Sequence, residues 1–189
     1  MTTRYFLLFC LLLSFSPAYS SYESSSFLVR GGSSLSEEGE QPIYSKNPEA
    51  NALYIQGLEY LSKSDPRAGG SVQNAKKALT LFEQAAEKDP QFALAYIGQA
   101  DASSVSSFSV SGSLAPREVY RQQEAAALKA IELDDKLPQA HAMLAEIYFD
   151  NEYDWPKAGK ELKRVIALTP NSVVAHTRYG LYFGGDGKV

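Results

Sequence analysis

Apolar positions in this chain recur at helical spacing in paired segments. In the stretch Ala78 to Ala100, small and large apolar residues share one face: Ala78, Phe82 and Ala85, then Tyr96 and Ala100, with Asp89-Pro90 between them. That pattern predicts two helices joined by a tight turn. A single hairpin of this kind cannot bury its apolar face, so it must stack on similar hairpins. No segment sustains the two-residue alternation of a strand, and the predicted fold class is all-α.

Punctuation along the chain places the other helices. Asn47-Pro48-Glu49 forms a cap, a first-turn proline and an acidic residue at the positive helix end, opening a helix to about Ser62. Asp65-Pro66 and Gly69-Gly70 make a loop, and a second helix runs from about Val72 to Lys88. Pro90 opens a third to about Ser104, and Ser103 to Ser113 is predicted as a serine-rich loop. Pro116, Pro138, Pro156 and Pro170 open four more, ending near Leu133, Phe149, Leu168 and Phe183.

The helices repeat in register. Leu53, Gly57 and Tyr60 are followed by Ala78, Phe82, Ala85 and Pro90. Tyr96, Ala100 and Ser103 are followed by Ala127, Ala130 and Asp135. His141, Leu144, Ala145 and Tyr148 are followed by Ala158, Leu162, Val165 and Pro170, and His176, Tyr179, Gly180 and Phe183 begin a fourth unit. This pattern resembles the tetratricopeptide repeat (TPR) family over about Asn47 to the end, and is most like the arrays that bacteria fuse to winged-helix regulators and adenylate cyclases. The resemblance implies a right-handed α-solenoid of helix-turn-helix repeats over 47–189, divided as 50–92, 93–137, 138–172 and a partial 173–189. The first two units are longer than the usual period of about 34 residues. The surplus is expected as loops at Lys63–Ser71 and Ser104–Ala115. Asp135 replaces the usual turn proline, so that turn is expected to rely on Pro138. The fourth unit has a first helix but no second, which makes the sequence read as a piece of a longer array, or as one whose last helix a partner covers. Self-association through that uncapped helix is a further expectation.

The first twenty residues follow another pattern. Arg4 precedes the apolar run Tyr5 to Phe15, and Ser16 to Ser20 breaks it with small residues. This is the form of a secretory signal peptide, cut after Ser20, and the run is shorter than the roughly 20 residues of a membrane span. Residues 21–46, rich in Ser, Gly and Glu, are predicted as a flexible linker. The expected location is extracytoplasmic, periplasmic or secreted, with no membrane span after cleavage. The only cysteine, Cys10, would leave with the signal, which removes disulfides, thiol catalysis and cysteine-bound metals.

Candidate chemistry is sparse. The net charge of -4 argues against a nucleic-acid partner. His141 and His176 share a repeat position where large side chains pack, and no ligand set for a metal surrounds them in sequence. Asp134-Asp135 and Glu37-Glu38 lie in turn or linker composition, and Gly184 to Lys188 lacks the spacing and strand of a phosphate loop. No enzyme and no cofactor are expected. The remaining candidate is the concave face, which first helices line in stacked hairpins. By spacing its positions are Asn51, Tyr54 and Leu58, then Leu94, Ile97 and Asp101, then Gln139, Ala142 and Glu146. A largely apolar groove with two acids predicts an apolar protein or peptide segment carrying Lys or Arg, held by Asp101 and Glu146. None of the nine positions is Lys or Arg, which argues against clamping a terminal carboxylate. The expected function is an exported adaptor or scaffold. The alternative is a sensor or regulatory segment of a longer signalling protein.

Overall fold

Phe82 shows how the chain is assembled. It is fully buried, and a Cβ placed on Gly57 or on Gly98 would lie 2.5 Å or 2.8 Å from its ring. Its ring therefore needs a residue without a side chain on the helix before it and on the helix after it. In the computed structural model, which describes residues 43–64, 70–111, 117–150 and 152–183, that wedge joins the first three helices. The described residues form α1 (Pro48–Ser62), α2 (Val72–Lys88), α3 (Ala93–Ser111), α4 (Arg117–Leu133), α5 (Pro138–Asp150), α6 (Trp155–Leu168) and α7 (Val173–Phe183). The signal-like segment 1–20, most of the predicted linker, the loop at 65–69 and the glycine-rich 184–189 lie outside the described residues.

Each helix packs on its neighbours in sequence, and α1 also touches α3. The result is an all-α right-handed solenoid of helix-turn-helix pairs. Local chemistry sets the helix ends. Asn47 Oδ1 accepts from the amides of Glu49 (3.0 Å) and Ala50 (3.2 Å), and Asp154 Oδ1 accepts from Lys157 N (3.1 Å). Such caps contribute about 1 kcal/mol each. Between α4 and α5, where the repeat lacks its turn proline, Asp134 does the work: its carboxylate accepts from Lys136 N at 3.0 Å.

The core runs along the pairs as small residues facing large ones. Ala78, Phe82 and Ala85 of α2 meet Ala50 and Tyr54 of α1 and Ala95 and Ala102 of α3. Ala127 and Ala130 of α4 meet Ile97 and Ala100 of α3 and Met143, Leu144 and Ile147 of α5. Burying the large members, Phe82, Ile97, Met143, Leu144 and Ile147, contributes roughly 1.5–3 kcal/mol apiece.

Two expectations are corrected here. The serine-rich stretch from Ser103 is not a loop at first: α3 continues helical to Ser111. Serine is a weak helix former, but Ala102 and Val105 are buried, and Ser106 Oγ donates back to the Ala102 carbonyl (2.8 Å). Much of the surplus length of the second repeat therefore lengthens its first helix. The end of the predicted linker is also ordered: Tyr44 packs edge-on against Tyr54 with ring centroids 5.2 Å apart, and Ser45 is buried.

Candidate functional site

The nine candidate positions fall on α1, α3 and α5, and they are less exposed than an open groove would leave them. Of the nine candidate positions, Asn51, Leu58, Leu94 and Gln139 are half-buried, and the other five are buried.

Tyr54 is a core residue: its ring meets those of Tyr44, Phe82 and Phe92 at 4.9–5.4 Å. Burial, then the nearby Asp101 carboxylate and Tyr44, push its hydroxyl pKa far above the ordinary range. Ile97 lies in the core between α3, α4 and α5, and Ala142 is covered by Val165 of α6 and Ala175 of α7. These three are removed from the groove because neighbouring helices roll onto them.

The two acids also change meaning. Glu146 forms a buried ion pair with Arg178 of α7, so its carboxylate is committed to the array itself and not to a partner's cation. An unpaired carboxylate at that depth would be costly, and Arg178 removes that cost. Asp101 is buried at 8% exposure beside Tyr54.

At the first of the candidate positions the chain meets its own backbone. Asn51 Oδ1 accepts from two consecutive backbone amides, Tyr44 N (2.6 Å) and Ser45 N (3.2 Å). The Ser45 hydroxyl donates to Asp89 Oδ2 (2.5 Å), and Asn47 Nδ2 donates to the Lys88 carbonyl (2.8 Å). The Tyr44 ring, Leu58 and Leu94 are half-buried against the same core. The spacing of Asn51 gives no sign of its engagement with residues 44 and 45. The only hint was the nearness of Tyr44 to the first cap.

The histidines are structural in their contacts. His141 is buried, with Nδ1 2.7 Å from Glu161 Oε2 and Nε2 3.0 Å from the Asp135 carbonyl. His176 Nε2 lies 2.8 Å from the Pro170 carbonyl, and Tyr96 Oη, at the same repeat position, donates to the Pro90 carbonyl at 3.2 Å. In the second, third and fourth units this side chain ties the first helix back to the preceding turn. Among the described residues, no group of three or more His, Cys, Asp and Glu side chains is placed to hold a metal ion.

A second feature lies away from the inner face. A cavity of about 220 Å³ opens between α6 and α7, lined by Trp155, Pro156, Gly159, Lys160, Lys163, Tyr179 and Phe183.

No protein-family model matches the sequence, and no curated protein matches it. Among solved structures, the chain is similar to the first TPR of Spaghetti (RPAP3), solved bound to an HSP90 peptide, SRMEEVD. The TM-score is 0.54 at 16% identity, over 75% of this chain and 95% of that one. The likeness is one of fold: both are TPR-type solenoids.

Proposed function

We propose that this protein is a non-catalytic, exported adaptor that holds a segment of another protein on its inner face. The observation that carries the reading is Asn51, which takes two consecutive main-chain amides of residues 44 and 45 while Tyr44 rests on the aromatic core. A side chain that reads backbone amides beside half-buried Leu58 and Leu94 suits an extended apolar segment, with main-chain hydrogen bonds for affinity and apolar contacts for choice. The similar TPR domain was solved with a peptide bound, which supports the class of ligand. The absence of Lys and Arg from the nine inner positions favours an apolar segment over a terminal carboxylate. The commitment of Glu146 to Arg178 removes one of the two acids that would have favoured a basic one. The reading as non-catalytic rests on both histidines being tied to turns and helices. Export rests on the pattern of residues 1–20, and a reporter fused behind residue 20 should be carried out of the cytoplasm and cleaved there.

A peptide array tests the binding reading. Apolar peptides should bind the full chain, and Leu58→Arg with Leu94→Arg should abolish binding while leaving helix content unchanged. Retained binding in that double variant, or an array with no binders, refutes the assignment.

A further inference from the structure

The terminal pair α6 and α7 carries a charge that the rest of the chain does not. Residues 155–183 hold Lys157, Lys160, Lys163, Arg164 and Arg178 against Glu161 alone, in a chain of net charge -4. Most of these charges are already answered. Glu161 meets His141, Arg178 meets Glu146, Lys157 meets Asp154 and Glu152, and Arg164 meets Asp135. Among the described residues, Lys160 and Lys163 have no carboxylate partner. Both line the cavity between α6 and α7, with Trp155, Pro156, Tyr179 and Phe183 forming its apolar part. Lys163 Nζ sits 5.8 Å from the centre of the Tyr179 ring. Trp155 is 53% exposed and Leu181 77% exposed on the same pair.

The repeat fixes the shape that fits there. In the earlier units, the outer face of each first helix is covered by a second helix carrying small and large residues four and three apart: Ala78, Phe82 and Ala85, or Ala158, Leu162 and Val165. In α7, Phe183 stands at the register of Tyr60 and Tyr148 and Tyr179 at that of the buried Leu144, and both remain only half-buried.

We propose that the α6–α7 face docks an acidic amphipathic helix of a partner protein, with apolar side chains entering the aromatic cavity and carboxylates meeting Lys160 and Lys163. A second copy of this chain is a poorer occupant. A two-fold contact would bring the same lysines toward one another, and like charges at a contact disfavour it. The site is separate from the inner face, since Lys160 and Lys163 belong to the outer helix α6.

Trp155 is the only tryptophan in the chain, so its emission reports on this cavity directly. The probe is a synthetic helix of roughly 18 residues, long enough to hold helical structure, with Ala, Leu and Ala at that spacing and Glu on the flanking positions. A control peptide replaces every Glu with Lys. The full chain should show a saturable shift in Trp155 emission with the acidic helix, weakening as salt rises, and none with the lysine control. Lys160→Glu with Lys163→Glu should weaken binding on the order of tenfold and leave binding to the inner face unchanged. Equal binding of the two peptides, an undiminished affinity in the double variant, or no response to the acidic helix overturns the proposal. A dimer in sedimentation that the acidic helix cannot displace assigns the face to a second copy and overturns it as well.

Discussion

Placing one methyl group on Gly57 should reveal how tightly α1, α2 and α3 are locked together. Alanine is the better helix former, by about 0.8–1 kcal/mol in a helix interior, so propensity alone predicts that Gly57→Ala stabilises. The structure predicts the opposite sign. The added Cβ would lie 2.5, 2.8 and 2.9 Å from three atoms of the Phe82 ring. That ring has nowhere to go. Gly98 presses on it from α3, where a Cβ would be 2.8 Å away, and the Tyr54 ring stands at 5.4 Å. Overpacking in a filled core costs about 1–3 kcal/mol, and a ring held on both sides belongs at the upper end. The net effect is a loss of about 2 kcal/mol after the gain in propensity. Phe82→Leu should remove the conflict, because Leu162 fills the corresponding position of α6. In that background Gly57→Ala should stabilise by about 1 kcal/mol, the propensity gain alone. Urea unfolding of the parent, both single variants and the double, followed by helical circular dichroism, gives the four stabilities. Gly57→Ala that is neutral or stabilising in the parent, or equally harmful in both backgrounds, would refute the wedge.

Three further outcomes follow from particular contacts. Arg178→Ala should cost about 3–5 kcal/mol by leaving Glu146 buried without its partner, and Glu146→Gln in the same chain should recover much of that loss in thermal melts. Asp150 has a buried carboxylate oxygen without a hydrogen-bond partner, and burial pushes its pKa from 3.8 up to about 6. A folded value above the unfolded one means that ionisation opposes folding: the penalty is absent below 3.8, grows up to about 6 and is complete above it. Asp150→Asn should therefore raise stability at neutral pH and flatten the pH dependence across that window in urea melts. Tyr153, at φ 54°, holds a left-handed conformation with its side chain exposed. Tyr153→Asn should stabilise by about 0.5–1 kcal/mol, measured as a raised melting midpoint.

Much of the architecture could be read from residues whose physics is local. Asn47 and Asp154 cap helices because their oxygens reach amides two or three residues on. Ala78, Phe82 and Ala85 mark a buried stripe because of their spacing alone. What sequence could not show depends on distant partners. The run from Ser103 looks like a loop until the burial of Val105 is known. Glu146 looks like a free groove acid until Arg178, one repeat later, arrives beside it. Tyr54, Ile97 and Ala142 hold inner-face positions by register, yet the roll of the next helix, or the return of Tyr44, puts them in the core. The hold of Asn51 on residues 44 and 45 spans only six or seven residues but follows no capping or periodic pattern, and the cavity beside Trp155 depends on how α7 packs on α6.

Amide hydrogen exchange of the full chain, alone and with an apolar peptide selected from the array, tests the central claim most directly. The account predicts added protection along the inner helices α1 and α3, around Leu58 and Leu94, with the outer helices α2 and α4 unchanged. Protection confined to the outer helices, or found nowhere, would contradict an inner face that holds a polypeptide segment.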